Sequence, residues 1–280
     1  MDLIYFLYFL IVTPVFNPPA DWDTYINEQW GGSYYPFIHV DIGYGFPGQE
    51  SFASTFSSIG TAGLKMGYTT YDRAKSYVYK LDEKYLFGKY ASSDIREALA
   101  TADESTINTT SWSFGLGQKV GYGWKVGPFS LIPYNQNQLV LSGLKFTYPD
   151  SLLQSEANYL TRLEGDTRFG VSTEGGVEFN VAKSIAVTAS FEGTVVFPRF
   201  VFVQWLGSYA VQSISNTLIS YFSESIVKSS PLLGPIMYLI LKNAMSFAWY
   251  YAIKREQYWP IPSETPFTME TIKVSASLTF

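Results

Sequence analysis

Cysteine is absent from the 280 residues, and histidine occurs once, as His39. Without cysteine there is no disulfide framework, no thiol nucleophile and no thiolate metal site. One histidine and scattered carboxylates leave no metal-ligand spacing, so no metal and no other cofactor is expected. Charge is sparse as well, at 15% of residues, and sums to −5. With a pI near 5.0 and no basic run, the chain lacks the clustered Lys and Arg on which nucleic-acid binding rests. What is abundant is aromatic: 22 Tyr, 21 Phe and 7 Trp. A mean hydropathy of +0.04 is too polar for a helical membrane protein, and the aromatic content is high for a soluble one. A transmembrane barrel reconciles the two, because lipid-facing and lumen-facing residues alternate and aromatic girdles mark both interfaces.

Alternation is visible in eight segments. Residues 35–46 set Ile38, Val40, Ile42 and Tyr44 against His39, Asp41, Gly43 and Gly45. Residues 61–71 set Leu64, Met66 and Tyr68 against Lys65, Gly67 and Thr69, and 76–90 set Tyr79, Leu81, Tyr85 and Phe87 against Val78, Lys80, Asp82 and Lys84. The cleanest is 110–124, where Trp112, Phe114, Leu116, Val120, Tyr122 and Trp124 alternate with small and polar residues. Residues 131–148 are the weakest, interrupted by the polar run 135–138. Residues 168–181, 185–205 and 269–280 complete the set, the last ending on an apolar face at Phe280. Connections after the second, fourth and sixth segments are short, whereas 47–60, 91–109, 149–167 and 206–268 are long. This alternation predicts short periplasmic turns and long external loops, with both chain ends periplasmic.

The final strand, TIKVSASLTF, resembles the C-terminal signal of bacterial outer-membrane proteins, which ends in a Phe read by the assembly machinery. The chain as a whole resembles the small eight-stranded outer-membrane barrels. The resemblance implies an all-β, up-and-down membrane barrel over 33–280, an outer-membrane location, contact with outer-membrane lipid and assembly machinery, and a porin-like architecture. It assigns Phe280 to the assembly signal. The apolar stretch 3–16 predicts an export signal or N-terminal anchor over 1–20, although Asp2 stands where a basic residue is usual.

Residues 206–256 depart from that pattern. Val211, Ile214, Leu218, Phe222 and Ile226 recur at helical spacing opposite Gln212, Ser213, Asn216, Ser220, Ser223 and Glu224, which predicts an amphipathic helix. Ser229-Ser230-Pro231 breaks it before a second, mostly apolar helix ending at Lys254-Arg255. This external helical insertion could pack on itself and the barrel rim, lie in the membrane interface, or bind a partner protein. A spanning helix is the least expected, since so apolar a segment would tend to stop during export.

On the lumen side the pattern places His39, Asp41, Lys65, Lys80, Asp82, Lys84, Lys119, Arg168, Glu174, Glu178, Glu192 and Lys273. An eight-stranded barrel is only just wide enough for its side chains. Paired charges therefore predict a closed lumen, with a narrow solute path as the alternative. A lipid-modifying enzyme would have to use His39 as its base with Asp41 beside it, since no other histidine exists. Gly115-x-Gly117 and Gly121-x-Gly123 lie within a strand, where close packing explains them better than phosphate binding. Polar outer faces would instead indicate a soluble ligand-carrying barrel. The expected role is structural or binding, within the envelope, and carried by the external loops.

Overall fold

The computed structural model describes residues 34–75, 78–97, 106–126, 129–182 and 184–280. The export segment expected over 1–20 lies outside them. The strands are β1 (Tyr35–Gly48), β2 (Ile59–Lys75), β3 (Val78–Ser92), β4 (Asn108–Val126), β5 (Phe129–Thr147), β6 (Arg168–Ala182), β7 (Ile185–Val196) and β8 (Phe267–Thr279). They form one closed barrel in sequence order, each strand antiparallel to its neighbours, with β8 returning to β1. Four helices are described: α1 (Ser93–Glu97), α2 (Gln154–Leu163), α3 (Phe202–Ser229) and α4 (Gly234–Arg255).

The register fixes the two faces of the wall. His39 pairs with Lys65 and Ser277, and Asp41 with Gly63 and Ser275, so these residues share the inner face. Ile42 pairs with Ala62 and Val274 on the outer face, where Ile42 is 65% and Val274 54% exposed. A period of two on one continuous ladder carries this division round the barrel, because each strand's inward residues pair only with inward residues of the next.

Three expectations are corrected here. The facing of β3 is reversed: Glu83 pairs with Lys119 on the inner face, so Tyr85 and Phe87 point inward and Lys80, Asp82 and Lys84 point outward. Apolar residues stand on the lumen side because Tyr85 fills space left by glycine; a Cβ at Gly117 would fall 2.3 Å from the Tyr85 hydroxyl. The run 135–138 does not interrupt β5, which is continuous, with Gln136 and Gln138 inside and Asn135 and Asn137 outside. Finally, the strand expected over 185–205 is shorter: β7 stops at Val196 and α3 begins at Phe202.

At the long-loop end an apolar plug closes the barrel. Inward Ile59, Leu144, Phe146, Val196, Phe267 and Met269 pack with Tyr159, Leu160 and Leu163 of α2. Phe146 and Phe267 meet edge to face at 5.4 Å. Burial of this cluster holds α2 over the mouth, helped by Glu156, whose carboxylate accepts the Ala53 amide at 2.6 Å.

Candidate functional site

Two polar assemblies stand out, one inside the wall and one against its outside. Below the apolar plug, Lys273 Nζ lies 2.5 Å from Glu174 and 2.7 Å from Glu192. Lys89 lies 3.0 Å from Glu192, and Lys65 lies 3.4 Å from Glu174 and donates to the Gln136 side-chain oxygen at 3.1 Å. Tyr134 and Gln136 both donate to Glu174 at 2.6 Å. A second cluster joins Lys119 to Glu178 and, at 3.2 Å, to Glu83. Opposite charges alternate through the lumen, so each is neutralised by a neighbour rather than by water, the condition under which buried ions are tolerated. The cavity between Lys65, Lys89, Glu192 and Lys273 measures about 10 Å³, room for no more than a single water.

Of the expected lumen residues, Lys65, Lys119, Glu174, Glu178, Glu192 and Lys273 meet in this network. Arg168 does not. It sits at the strand end, where its guanidinium donates to the carbonyls of Arg162, Leu163 and Pro198, capping the last turn of α2. Glu83 and Lys89, which alternation in 76–90 does not place in the lumen, join the network because the facing of β3 is the reverse of the expected one. His39 and Asp41 are each 3% exposed and face Ser277 and Ser275 across β8. Among the described residues, no hydrogen bond joins His39 to Asp41 or to a serine, so the elements of a triad are neighbours without its alignment.

The second assembly corrects the external-loop placement expected for 206–256. The helices α3 and α4 form a hairpin that lies along the outside of the wall, not above the rim. At the long-loop end Tyr250 and Lys254 reach Glu270 on the outer face of β8, at 3.0 and 2.7 Å. Midway, Asn243 accepts from Asn135 at 2.9 Å and donates to the Tyr134 carbonyl, and Ser246 donates to Asn135. At the short-turn end Tyr238 packs on Tyr122 with ring centroids 4.7 Å apart, and Trp124 donates to the Pro231 carbonyl at the hairpin turn. At 1.5 Å per residue α4 is about 33 Å long, enough to follow the wall from end to end. Two glycines permit the approach: a Cβ at Gly175 would meet Asn243 at 2.4 Å, and one at Gly193 the Tyr250 ring at 2.8 Å.

Beneath the hairpin the wall is mixed: outward Phe169 and Phe191 meet Trp205 and Phe247, Val195 is buried with Tyr250, and a polar row crosses the same surface. Successive cross-strand partners Lys84, Gln118, Asn137, Thr173, Gly193 and Glu270 make one outward row across β3 to β8. The hairpin turns its own polar side to that region: Glu224 accepts from Tyr122 at 3.1 Å and lies 3.8 Å from Lys80, and Lys242 donates to Ser220 at 2.9 Å. Its apolar side faces away, with Leu218 65%, Phe222 59% and Ile240 52% exposed. The amphipathic helix predicted from 211–226 is borne out as a helix but only weakly as a two-faced one: in its middle turns Val211, Ile214, Leu218 and Phe222 face out while Asn216, Ser220 and Ser223 face the wall, whereas Trp205 and Val227 nearer its ends are buried apolar residues. No helix among the described residues is long and apolar enough to cross a membrane by itself.

No protein-family model and no curated protein matches the chain. Among solved structures it is similar to Neisserial surface protein A, at 8% identity and a TM-score of 0.37, over 88% of this chain and 97% of that one. It is similar also to the N-terminal β-barrel domain of Pseudomonas aeruginosa OprF, at 9% identity and 0.33 over 86% and 97%. Ail, the attachment invasion locus protein of Yersinia pestis, gives 8% identity and 0.31 over 87% and 98%. This chain is itself a closed barrel of eight strands. For this chain that architecture rests on its own strand register.

Proposed function

We propose that the chain is an integral outer-membrane barrel with a sealed lumen, and that its role in the envelope is binding or structural, exerted from its outer surface. The observation that carries this reading is the inverted polarity of the barrel wall below its apolar plug. Charges and amides occupy the interior, whereas Ile38, Val40, Ile42, Leu64, Met66, Ile272 and Val274 stand exposed on the bare wall and Leu218 and Phe222 on the hairpin. An exposed apolar surface of this extent is the counterpart of hydrocarbon, not of water. Outward Tyr44, Phe46, Tyr90 and Trp112 toward one end, with Tyr68, Phe129 and Phe179 toward the other, suit the two interfaces of a bilayer. Polar outward residues would be costly there, and the hairpin covers most of them.

The binding role expected of an external loop moves with the hairpin to the lateral wall. The assembly-signal role of Phe280 belongs to the same reading: the residue is 62% exposed, and its amide donates to the Pro36 carbonyl at 2.9 Å, closing the barrel seam. Reconstitution tests the proposal. Chain folded into phospholipid vesicles should resist extraction by urea and leave planar-bilayer conductance at baseline. Release from the vesicles contradicts the embedding, and discrete current steps contradict the sealed lumen.

A further inference from the structure

The hairpin does not lie flush on the wall. Between the middle of α3 and strands β4 and β5 a cleft of about 520 Å³ remains, within the range of small-ligand sites. Its floor is the amide pair Gln118 and Asn137 of the polar outward row, and Asn216 faces it from α3. Four charged side chains line it: Lys80, Asp82, Glu224 and Lys242. Lys80 lies 3.8 Å from Glu224, Asp82 accepts from Gln118 at 3.0 Å, and Lys242 is held by Ser220 and the Asn216 side chain at 2.9 and 3.4 Å. Two cations and two anions leave the cleft without net charge, so a head group carrying both signs can be matched at both ends, whereas a singly charged one leaves a partner uncompensated.

One side of this polar cleft continues into a second groove. Leu116 and Asp82 line both the cleft and a groove of about 790 Å³ on the bare wall, whose apolar lining includes Ile38, Met66, Tyr68 and Leu86 and whose polar lining includes Thr70, Asp72 and Lys84. Ile38, Met66, Leu86, Leu116 and Leu139 are successive cross-strand partners, a single outward apolar row lying beside the polar one. A polar compartment joined to a linear apolar track has the shape and chemistry of an amphiphile.

We propose that this site takes one zwitterionic amphiphile from the surrounding bilayer, its head group among Lys80, Asp82, Glu224 and Lys242 and its acyl chain along Leu116, Leu86 and Met66. The proposal rests on the embedded reading above. Gln118 already donates to Asp82 and Asn137 to Asn135 at 2.9 Å, and a bound polar head adds partners for the remaining hydrogen-bonding capacity of these outward amides at a depth where water is scarce.

Photo-crosslinking tests it on the full chain in vesicles, using a phosphatidylcholine probe with a diazirine at the carboxyl end of its acyl chain and mapping labelled peptides. Labelling around Leu116, Leu139 and Tyr221 should exceed that at Ile272 and Val274 on bare β8 by about tenfold, and a phosphatidylglycerol probe should show no such excess. Gln118→Leu combined with Asn137→Leu should abolish the excess and leave β8 labelling unchanged. Lys80→Gln with Glu224→Gln should weaken it without touching the amide floor. Soluble glycerophosphocholine should not compete, because the apolar track contributes to binding; full competition would mean that the head group alone is recognised and would overturn the amphiphile. Equal labelling of cleft and β8, or equal excess for both probes, overturns the proposal while the embedding stands. Absence of labelling on β8 as well overturns the embedding and the proposal with it.

Discussion

At the scale of single residues, the sharpest consequences concern the buried lysines. Lys273 is the shared partner of Glu174 and Glu192, and all three are buried. Lys273→Met leaves two carboxylates with less compensation than their burial requires, and should cost about 3–5 kcal/mol in a denaturant titration of the vesicle-folded protein. Adding Glu192→Gln to Lys273→Met should recover part of that loss, because it removes one of the stranded charges. If Lys273→Met changes stability no more than a surface substitution, the lumen is hydrated rather than closed by pairing. Outside the wall, Gly175→Val places a side chain where Asn243 now sits. Overpacking of this kind costs about 1–3 kcal/mol, and here it should lift α4 from the wall. Increased proteolysis between α3 and α4, with the barrel intact, is the expected readout.

At the scale of elements, α2 and the α3–α4 hairpin behave differently. The cap over the long-loop end rests on Tyr159, whose hydroxyl donates to the Thr265 carbonyl at 3.0 Å. Burial first, and then the charge of Glu264, push its ionisation above the ordinary tyrosine range. A tyrosine that stays protonated longer when folded than when unfolded contributes stability that is intact below about pH 10 and is lost as pH rises further. Exposure of the cap to protease should therefore rise in strong alkali, and Tyr159→Phe should flatten that rise. An unaltered alkaline profile in Tyr159→Phe would remove the residue from the effect. The hairpin shows why its placement was not legible in the sequence. The periodicity of Val211, Ile214, Leu218 and Phe222 identifies the helix, but a period of 3.6 does not say which face meets protein. That choice depends on the polar row from Lys84 to Glu270, which exists only after six strands are registered. The reversed reading of β3 has the same origin: Tyr79, Leu81, Tyr85 and Phe87 look lipid-facing until Glu83 is paired with Lys119.

At the scale of the whole molecule, the eight strands, their closure and most of the lumen network follow from local alternation and connection length, both of which are local in the chain. The lateral position of 206–256 and the cleft beneath it depend on contacts far apart in sequence, such as Tyr122 with Glu224 and Asn135 with Asn243. The proposed embedding requires that both the bare wall and the outer side of the hairpin meet lipid. The absence of native cysteine makes it directly measurable, since every introduced thiol is unique. Nitroxide labels on single variants Ile42→Cys, Val274→Cys, Ile214→Cys and Leu218→Cys, in vesicle-reconstituted protein, should all show high collision rates with oxygen and low rates with a water-soluble nickel chelate. Labels at Asn216→Cys and Ser220→Cys should be shielded from oxygen relative to these four. A high nickel rate at Ile214 and Leu218, with Ile42 and Val274 still in lipid, would place the hairpin in water and contradict the account.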